Sequence, residues 1–402
     1  LNMQRSYLII RIKLDMYLNI LNYLLIMITV WDDLKCNIDL LRGIYAYGFE
    51  EPSSIQKKAI EPFLLGKDII AQAQSGTGKT GAFAIGTLGR TDTDLNETQC
   101  IIMAPTRELA SQIYDVLTHM GKMMKKLKLQ LLVGGSSIEA DINILKTNPH
   151  IIVGCPGRIN DMIRRKRLHT NKVKCIVLDE ADEMLSQGFK DQIYNIFRSL
   201  NEDKVQIALF SATLSNELIE LSRSLLREPE EIYVKSDALT LEGIAQAYVM
   251  LENEHQKYDT LKDLYGVISV SQCIIYCNSV KRVIKLYDDM KDESFPVCCL
   301  HSDQTREERD LAYKNFKNGK YRVLISTNIT ARGIDIQQVS TVINYDVPND
   351  SHIYLHRIGR SGRWGRKGIG INLITQRDIK KLREIEKYYH TEINELTDEM
   401  LK

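Results

Sequence analysis

The feature that most constrains the fold of this 402-residue chain is a series of short apolar runs that alternate with helical patterns. Runs of this kind are typical of strands buried on both faces of a parallel sheet. They occupy residues 69–73, 99–104, 129–133, 151–154, 174–178 and 205–210, and then 273–277, 297–300, 322–326, 341–345 and 369–374. The alternation predicts an α/β fold of helix-covered parallel sheets, and the length predicts two or three domains.

A phosphate-binding loop is predicted directly after the first run. Residues 73–80 read Ala-Gln-Ser-Gly-Thr-Gly-Lys-Thr, a P-loop pattern with alanine at the usual first glycine. Gly76 and Gly78 allow tight turns that aim backbone N–H groups at phosphate oxygens, and the next helix adds its positive end. Lys79 would reach the β- and γ-phosphates and Thr80 would bind Mg²⁺. The alternative, an ordinary turn, does not account for the order of strand, glycines and Lys-Thr.

An acidic tetrad, Asp179-Glu180-Ala181-Asp182, follows the run at 174–178. A buried parallel strand places such carboxylates at its C-terminal end, where open α/β sheets bind ligands. We assign Asp179 to the shell of a Mg²⁺ ion and Glu180 to the attacking water. A solvated loop or structural carboxylates are the alternatives. Together with Lys79, the tetrad predicts one site for a nucleoside triphosphate and Mg²⁺, because the second half has no P-loop.

The overall charge excludes one simple argument for nucleic-acid binding. The net charge is only +1, so any surface for a polyanion must be local.

The chain has eight cysteines but no C-x-x-C pair, and several lie in apolar runs. We therefore expect buried free thiols, a reducing compartment and no zinc site.

The N-terminal segment differs from the rest. Residues 16–31 are uncharged and mostly apolar, which is short for a membrane span. We predict that residues 1–30 form a leader and that 1–26 are not part of the functional protein, with Met27 as the start. Abundant peptides from residues 1–13 in mass spectra of the natural product would contradict this.

Further motifs complete a resemblance to DEAD-box ATP-dependent RNA helicases, and within them to the group of eukaryotic initiation factor 4A and its paralogues. They are residues 48–56, 105–110, 134–135, 155–158, 211–213 and 356–363, in that family's order. The resemblance runs from about Trp31 to the C-terminus. It implies two tandem RecA-like domains, at 31–234 and 245–402, joined by a short flexible linker at 235–244.

The resemblance also implies a nucleotide site between the two domains. Gln56 would read adenine, Phe49 would stack on it, and Asp335 would contact the ribose. Arg360 and Arg363 would act as arginine fingers on the γ-phosphate, an effect worth about 10³–10⁵ in rate in related enzymes. The implied cofactor-binding residues are Phe49, Gln56, Ser75, Gly76, Thr77, Gly78, Lys79, Thr80 and Asp335.

RNA contacts and domain coupling are implied in the same way. The residues expected to touch RNA are Pro105, Thr106, Arg107, Gly135, Gly157, Arg158, Asn278, Arg309 and Thr327. Those expected to couple ATP to RNA are Asp182, Ser211, Thr213 and His356.

Five residues depart from the family pattern. They are Cys155 for threonine, Val280 for a basic residue, Ser302 for glycine, Arg306 for glutamine and Asn328 for aspartate. The nucleotide motifs of the first domain are intact. We therefore expect ATP hydrolysis with weaker RNA stimulation than in a consensus member.

The resulting prediction is a monomeric, RNA-stimulated ATPase that binds single-stranded RNA without sequence preference and locally separates short duplexes. An ATP-gated RNA clamp, held shut by partner proteins, is the main alternative, and an enzyme in decay is a third. Translation-initiation or RNA-processing scaffold proteins are the expected partners. We expect a cytoplasmic location, with the nucleus left open, and no stable membrane association.

Overall fold

The computed structural model describes residues 28–73, 76–186, 188–200, 205–214, 216–233, 244–268, 272–331, 339–361, 368–397 and 400. Almost all of the predicted leader therefore lies outside the described residues. The predicted linker does too, except for Ile244, which begins a strand. Among the described helices, none is both long and apolar enough to cross a membrane.

The first domain is a seven-stranded sheet in which every neighbouring pair is parallel. Its strands are β1 (Ile69–Gln72), β2 (Cys100–Met103), β3 (Leu129–Leu132), β4 (Ile151–Gly154), β5 (Cys175–Asp179), β6 (Gln206–Ser211) and β7 (Glu230–Tyr233). Its helices are α1 (Ile38–Ala46), α2 (Ser54–Leu64), α3 (Lys79–Arg90), α4 (Arg107–Met120), α5 (Ile138–Leu145), α6 (Pro156–Arg164), α7 (Ala181–Ser186), α8 (Lys190–Arg198) and α9 (Asn216–Leu225).

The second domain is built in the same way, again with seven parallel strands. Its strands are β8 (Ile244–Leu251), β9 (Gln272–Tyr276), β10 (Val297–Leu300), β11 (Val323–Ser326), β12 (Val339–Asn344), β13 (Gly368–Thr375) and β14 (Asn394–Glu395). Its helices are α10 (Gln256–Ile268), α11 (Val280–Asp292), α12 (Arg306–Lys317), α13 (Ser351–Ile358) and α14 (Ile379–Tyr389).

The two sheets have the same strand order. It is β3-β4-β2-β5-β6-β1-β7 in the first and β10-β11-β9-β12-β13-β8-β14 in the second, so each strand corresponds to the one seven places later. Apolar side chains fill both faces of each sheet. This confirms the predicted fold class of two similar parallel-sheet domains, and every apolar run predicted as a strand overlaps one.

The glycines of α3, which are unfavourable in a helix, have a packing reason. A Cβ on Gly86 would lie 2.5 Å from the ring of Phe63, and one on Gly89 would lie 2.5 Å from Leu64 Cδ2. Both partners belong to α2, so the glycines let the two helices approach closely. The packing therefore offsets their helix penalty of about 1 kcal/mol each.

All eight cysteines are free thiols, as predicted, and only Cys36 and Cys155 are partly exposed. Burial raises the pKa of the Cys155 thiol to about 12, with the charge of Glu108 as the next cause. This thiol is therefore neutral at physiological pH.

Candidate nucleotide and RNA site

The predicted phosphate loop follows β1 and turns through two glycines in the left-handed region. Gly76 has φ 85° and Gly78 has φ 99°. A Cβ on Gly78 would approach Ser53 Oγ to 2.6 Å, so only glycine fits there without displacing its neighbours. Helix α3 begins at Lys79, directly after this turn, and its N-terminal amides form an anion-binding end. Ser75 lies outside the described residues.

Lys79 and the acidic tetrad meet in the structure although they are a hundred residues apart. Lys79 Nζ lies 3.4 Å from Glu180 Oε1, and both side chains are buried. Glu180 has φ 53°, a strained conformation for a residue with a side chain. Its backbone N–H donates to Asp179 Oδ1 at 3.1 Å. The strand end therefore concentrates a lysine and two carboxylates around one point.

The carboxylates at the end of β5 favour the binding of a cation. Burial, followed by the neighbouring charge of Glu180, raises the pKa of Asp179 to about 7. A divalent ion would offset both costs, and the Thr80 hydroxyl follows Lys79 in the same turn. No group of three or more His, Cys, Asp or Glu side chains is arranged as a metal site in the described ranges. Mg²⁺ needs no such group, because it usually keeps waters and substrate phosphates as ligands.

The predicted adenine-reading residues pack against the phosphate loop. Gln56 Oε1 accepts from the Ser53 backbone N–H at 2.7 Å, and its Nε2 donates to the Gly78 carbonyl at 3.3 Å. One lone pair and one N–H of this amide remain, which is what the adenine edge requires. Trp31 is fully buried and stacks on Phe49, with ring centroids 6.0 Å apart.

The predicted coupling residues of the first domain form one buried cluster. Ser211 Oγ donates to Asp182 Oδ1 at 2.6 Å, and Thr213 Oγ1 donates to Asp182 Oδ2 at 2.5 Å. Asp182, the last residue of the tetrad, is thereby hydrogen-bonded to the end of β6.

In the second domain the structure describes only part of the predicted nucleotide site. Arg360 is buried just after α13, and its Nε donates to the His356 carbonyl at 3.3 Å. His356 is buried in the same turn. Asp335 and Arg363 lie outside the described residues.

A cleft of about 790 Å³ lies between the two domains and contains most of the predicted RNA contacts. It is lined from the first domain by Pro105, Thr106, Arg107, Gly134, Cys155, Gly157, Arg158, Asp161 and Phe189, and from the second by Asn278, Ser279, Val280, Ser302, Arg309, Thr327, Asn328 and Ile329. Gly135 does not line it, although its neighbour Gly134 does. The cleft thus combines backbone, hydroxyl, amide and arginine groups, the usual partners of a phosphate backbone.

An ion pair crosses between the domains at this cleft. Arg309 Nη2 lies 2.5 Å from Glu108 Oε1, and both side chains are only 6% exposed. The sequence reasoning missed Glu108, although it follows Arg107 in a recognised motif. Arg309, predicted to touch RNA, therefore has a partner in the opposite domain.

Arg357 is a second residue that the sequence reasoning missed. It is completely buried, and its Nε donates to Asn328 Oδ1 and its Nη2 to Asn278 Oδ1, both at 2.8 Å. Its Nη1 donates to Asn344 Oδ1 and to the carbonyl of Asp346. Burial lowers the pKa of Arg357 to about 10. Two residues of the cleft are thus joined to the helix that leads to Arg360.

The departures from the family pattern lie in different places. Cys155, Val280, Ser302 and Asn328 line the cleft. Arg306 does not, and its Nε lies 3.6 Å from Asp310 of its own helix. The first four therefore lie beside the predicted RNA contacts, whereas Arg306 does not line this cleft.

Comparison with protein families matches both halves of the chain. Residues 53–221 match the DEAD/DEAH box helicase family and residues 256–365 match the helicase conserved C-terminal domain. Initiation factor 4A of Caenorhabditis elegans is 50% identical over 368 residues, 92% of this chain and 91% of that protein. The ATP-dependent RNA helicase eIF4A of Kluyveromyces lactis is 50% identical over 366 residues, 91% and 92% of the two chains.

Solved structures give the same family. Dbp5 of Saccharomyces cerevisiae bound to RNA and ADP BeF3 is similar with a TM-score of 0.85 and 37% identity, over 93% of this chain and 100% of that one. Mss116p bound to ssRNA and AMP-PNP gives a TM-score of 0.83 at 28% identity, over 93% and 81%.

A second complex of Dbp5 is less similar to this chain. Dbp5 bound to Nup159, Gle1, IP6 and ADP gives a TM-score of only 0.61 at 36% identity, over 90% and 96% of the two chains. Its identity and coverage are similar to those of the RNA-bound form, so the two complexes of Dbp5 differ in how closely they match this chain. Overall, this chain is more similar to the RNA-bound form.

Proposed function

We propose that this chain, which belongs to the DEAD-box family, works by closing its two RecA-like domains over ATP and single-stranded RNA. It is an ATP-dependent RNA helicase of the initiation-factor-4A type. The observation that carries this proposal is the cleft between the domains, which joins predicted RNA contacts to the Glu108–Arg309 ion pair. Closure would bend the bound strand and separate short duplexes.

The proposed ATP site lies at the C-terminal ends of β1 and β5. Lys79 and the backbone of residues 75–78 hold the phosphates, and Gln56 and Phe49 hold the adenine. Thr80 and Asp179 hold Mg²⁺, which supplies charge stabilisation to the phosphates when bound. Glu180 orients the attacking water. The support is the convergence of a lysine and two carboxylates at the end of β5 and the remaining hydrogen-bonding capacity of Gln56.

The second domain supplies charge to the same site. Arg360 and Arg363 act as arginine fingers, Asp335 contacts the ribose, and His356 with Asp182, Ser211 and Thr213 transmits closure. The support is the burial of Arg360 after α13 and the hydrogen bonds that Asp182 accepts.

RNA is bound through its backbone and without sequence preference. The contacts come from both walls of the cleft, and 2′-hydroxyl recognition would distinguish RNA from DNA. The relatives Dbp5 and Mss116p are bound to RNA in their solved structures, and Dbp5 is also bound to the partner proteins Gle1 and Nup159. Scaffold proteins that adjust closure, and a cytoplasmic location, are expectations on the same basis.

Strand separation and phosphate release, measured in the same reaction, test this function. We expect a short RNA duplex to be separated with ATP but not with ADP, and phosphate release to rise when single-stranded RNA is added. RNA-stimulated hydrolysis without strand separation would favour the ATP-gated clamp. Absence of both would overturn the proposal.

A further inference from the structure

Two arginines of the first domain line the cleft, and both were predicted to contact RNA. Arg107 begins α4, and Arg158 lies in the first turn of α6. Their surroundings differ in one respect that decides what each can do, namely whether the charge of the guanidinium already has a partner.

The charge of Arg158 is neutralised within the protein. Its Nη1 donates to Asp141 Oδ2, and the Asp141 side chain is only 5% exposed. Nη1 also donates to Ser136 Oγ at 3.1 Å, and Nη2 donates to the Ser136 carbonyl at 3.0 Å. An RNA phosphate would have to compete with a buried carboxylate for this side chain.

These contacts fix the position of one loop. Residues 133–137 join β3 to α5 and include Gly134, which lines the cleft, and Gly135, which has φ 86°. Ser136 Oγ also lies 2.9 Å from the Val133 carbonyl and 3.0 Å from Asp141 Oδ2. Arg158 therefore links the loop and the helix after it to the start of α6.

Arg107 lies against the two glycines of the same loop. A Cβ on Gly135 would be 2.8 Å from its Nη1, and a Cβ on Gly134 would be 3.3 Å from its Nη2. Within the part of the chain that the structure describes, the Arg107 guanidinium makes no hydrogen bond or ion pair. Its charge is therefore available to a phosphate.

We propose that the two arginines have different tasks: Arg107 binds RNA phosphate, whereas Arg158 is a positioning residue that, with Asp141 and Ser136, fixes the Gly134–Gly135 loop for RNA. The inference rests on the proposed RNA-binding function. Arg158 is then a positioning residue and not a direct RNA contact, and Asp141 has a role that the sequence did not suggest.

The salt dependence of RNA affinity distinguishes a residue that contacts phosphate from a positioning residue. Each phosphate neutralised on a single strand contributes about −0.7 to the slope of log K against log salt concentration. Loss of Arg107 should remove one such contribution. Loss of Arg158 should weaken binding with the slope unchanged, because the Arg158–Asp141 pair has no net charge to offer.

The experiment measures binding of a short single-stranded RNA, with a non-hydrolysable ATP analogue present, over a salt series. The variants are Arg107→Gln, Arg158→Gln, Arg158→Lys and Asp141→Asn, with Arg164→Gln as a control for charge loss on the exposed end of α6. We expect Arg107→Gln to reduce the magnitude of the negative slope by about 0.7. The two Arg158 variants and Asp141→Asn should weaken binding to a similar extent at the wild-type slope, and Arg164→Gln should change little.

The opposite pattern would overturn the inference. If Arg158 binds phosphate and Asp141 only restrains it, Asp141→Asn should bind RNA more tightly and Arg158→Lys should resemble wild type. Arg158→Gln should then reduce the magnitude of the slope as Arg107→Gln does. Affinity for the ATP analogue verifies that each variant is folded. Failure of the unchanged protein to bind RNA would instead overturn the proposed function.

Discussion

Arg309 and Glu108 form a buried ion pair across the two domains, with 2.5 Å between Nη2 and Oε1. Each residue is held by its own domain, on α12 and α4. We therefore expect the pair to break when the domains separate, so it links the two walls of the cleft.

Breaking this pair should uncouple RNA from hydrolysis. Removal of one partner of a buried pair leaves an uncompensated charge and costs about 3–5 kcal/mol, so we expect Arg309→Ala or Glu108→Ala to lower RNA-stimulated turnover at least about tenfold. Basal turnover should change much less. The double variant should recover part of the loss, because no charge is then left buried. Losses that add fully in the double variant would show that the pair does not act as a unit.

Asn328 should limit the response to RNA. It offers Arg357 a neutral oxygen, whereas aspartate would form an ion pair with a guanidinium whose pKa burial lowers to about 10. We expect Asn328→Asp to raise RNA-stimulated turnover severalfold, by holding α13 and the following Arg360 more firmly. Arg306→Gln, which changes a residue paired within its own helix, is the matched control and should have little effect. An unchanged turnover in Asn328→Asp would contradict this explanation of the family departure.

Gly86→Ala should destabilise the first domain although alanine is the better helix former. The added methyl would meet the Phe63 ring at 2.5 Å, and overpacking of this kind costs about 1–3 kcal/mol. Gly266 of α10 is the matched control, because a Cβ there meets nothing within 4 Å. Gly266→Ala should stabilise its domain by about 0.5–1 kcal/mol. Denaturant unfolding of each domain measures both, and a stabilising Gly86→Ala would refute the close packing of α2 and α3.

Glu180→Gln should separate ATP binding from hydrolysis. The glutamine keeps the shape of the side chain that lies beside Lys79 but cannot act as a base. We expect hydrolysis to be lost while ATP affinity stays within a fewfold of wild type. Equilibrium binding of a labelled ATP analogue, together with single-turnover hydrolysis, measures the two effects. A hydrolysis rate close to wild type would refute the role given to Glu180.

The sequence predicted the central strands because each is buried on both faces and reads as a continuous apolar run. It missed β7, β8 and β14, although it predicted the opposite edge strands β3 and β10 from their apolar runs. In β7 the sequence Glu-Glu-Ile-Tyr has one buried side chain, and β8 mixes buried and half-exposed positions. Such strands do not form the pattern on which the prediction depends.

Site residues were predictable where they lie at or shortly after the end of a predicted strand. Lys79, Asp179 and Ser211 are of this kind. The pairs Glu108–Arg309, Asn328–Arg357 and Asp141–Arg158 were not predictable, because each joins residues whose proximity depends on packing rather than on local sequence. A charge that looks available in the sequence, such as that of Arg158, can therefore be neutralised in the fold.

Coupling between the two ligands tests the central claim most directly, because closure over ATP and RNA requires each to strengthen the binding of the other. The measurement is the affinity of the protein for a short single-stranded RNA with a non-hydrolysable ATP analogue and with ADP. We expect binding at least about tenfold tighter with the analogue, a coupling of about 1.4 kcal/mol. Equal affinities with the two nucleotides would contradict the account.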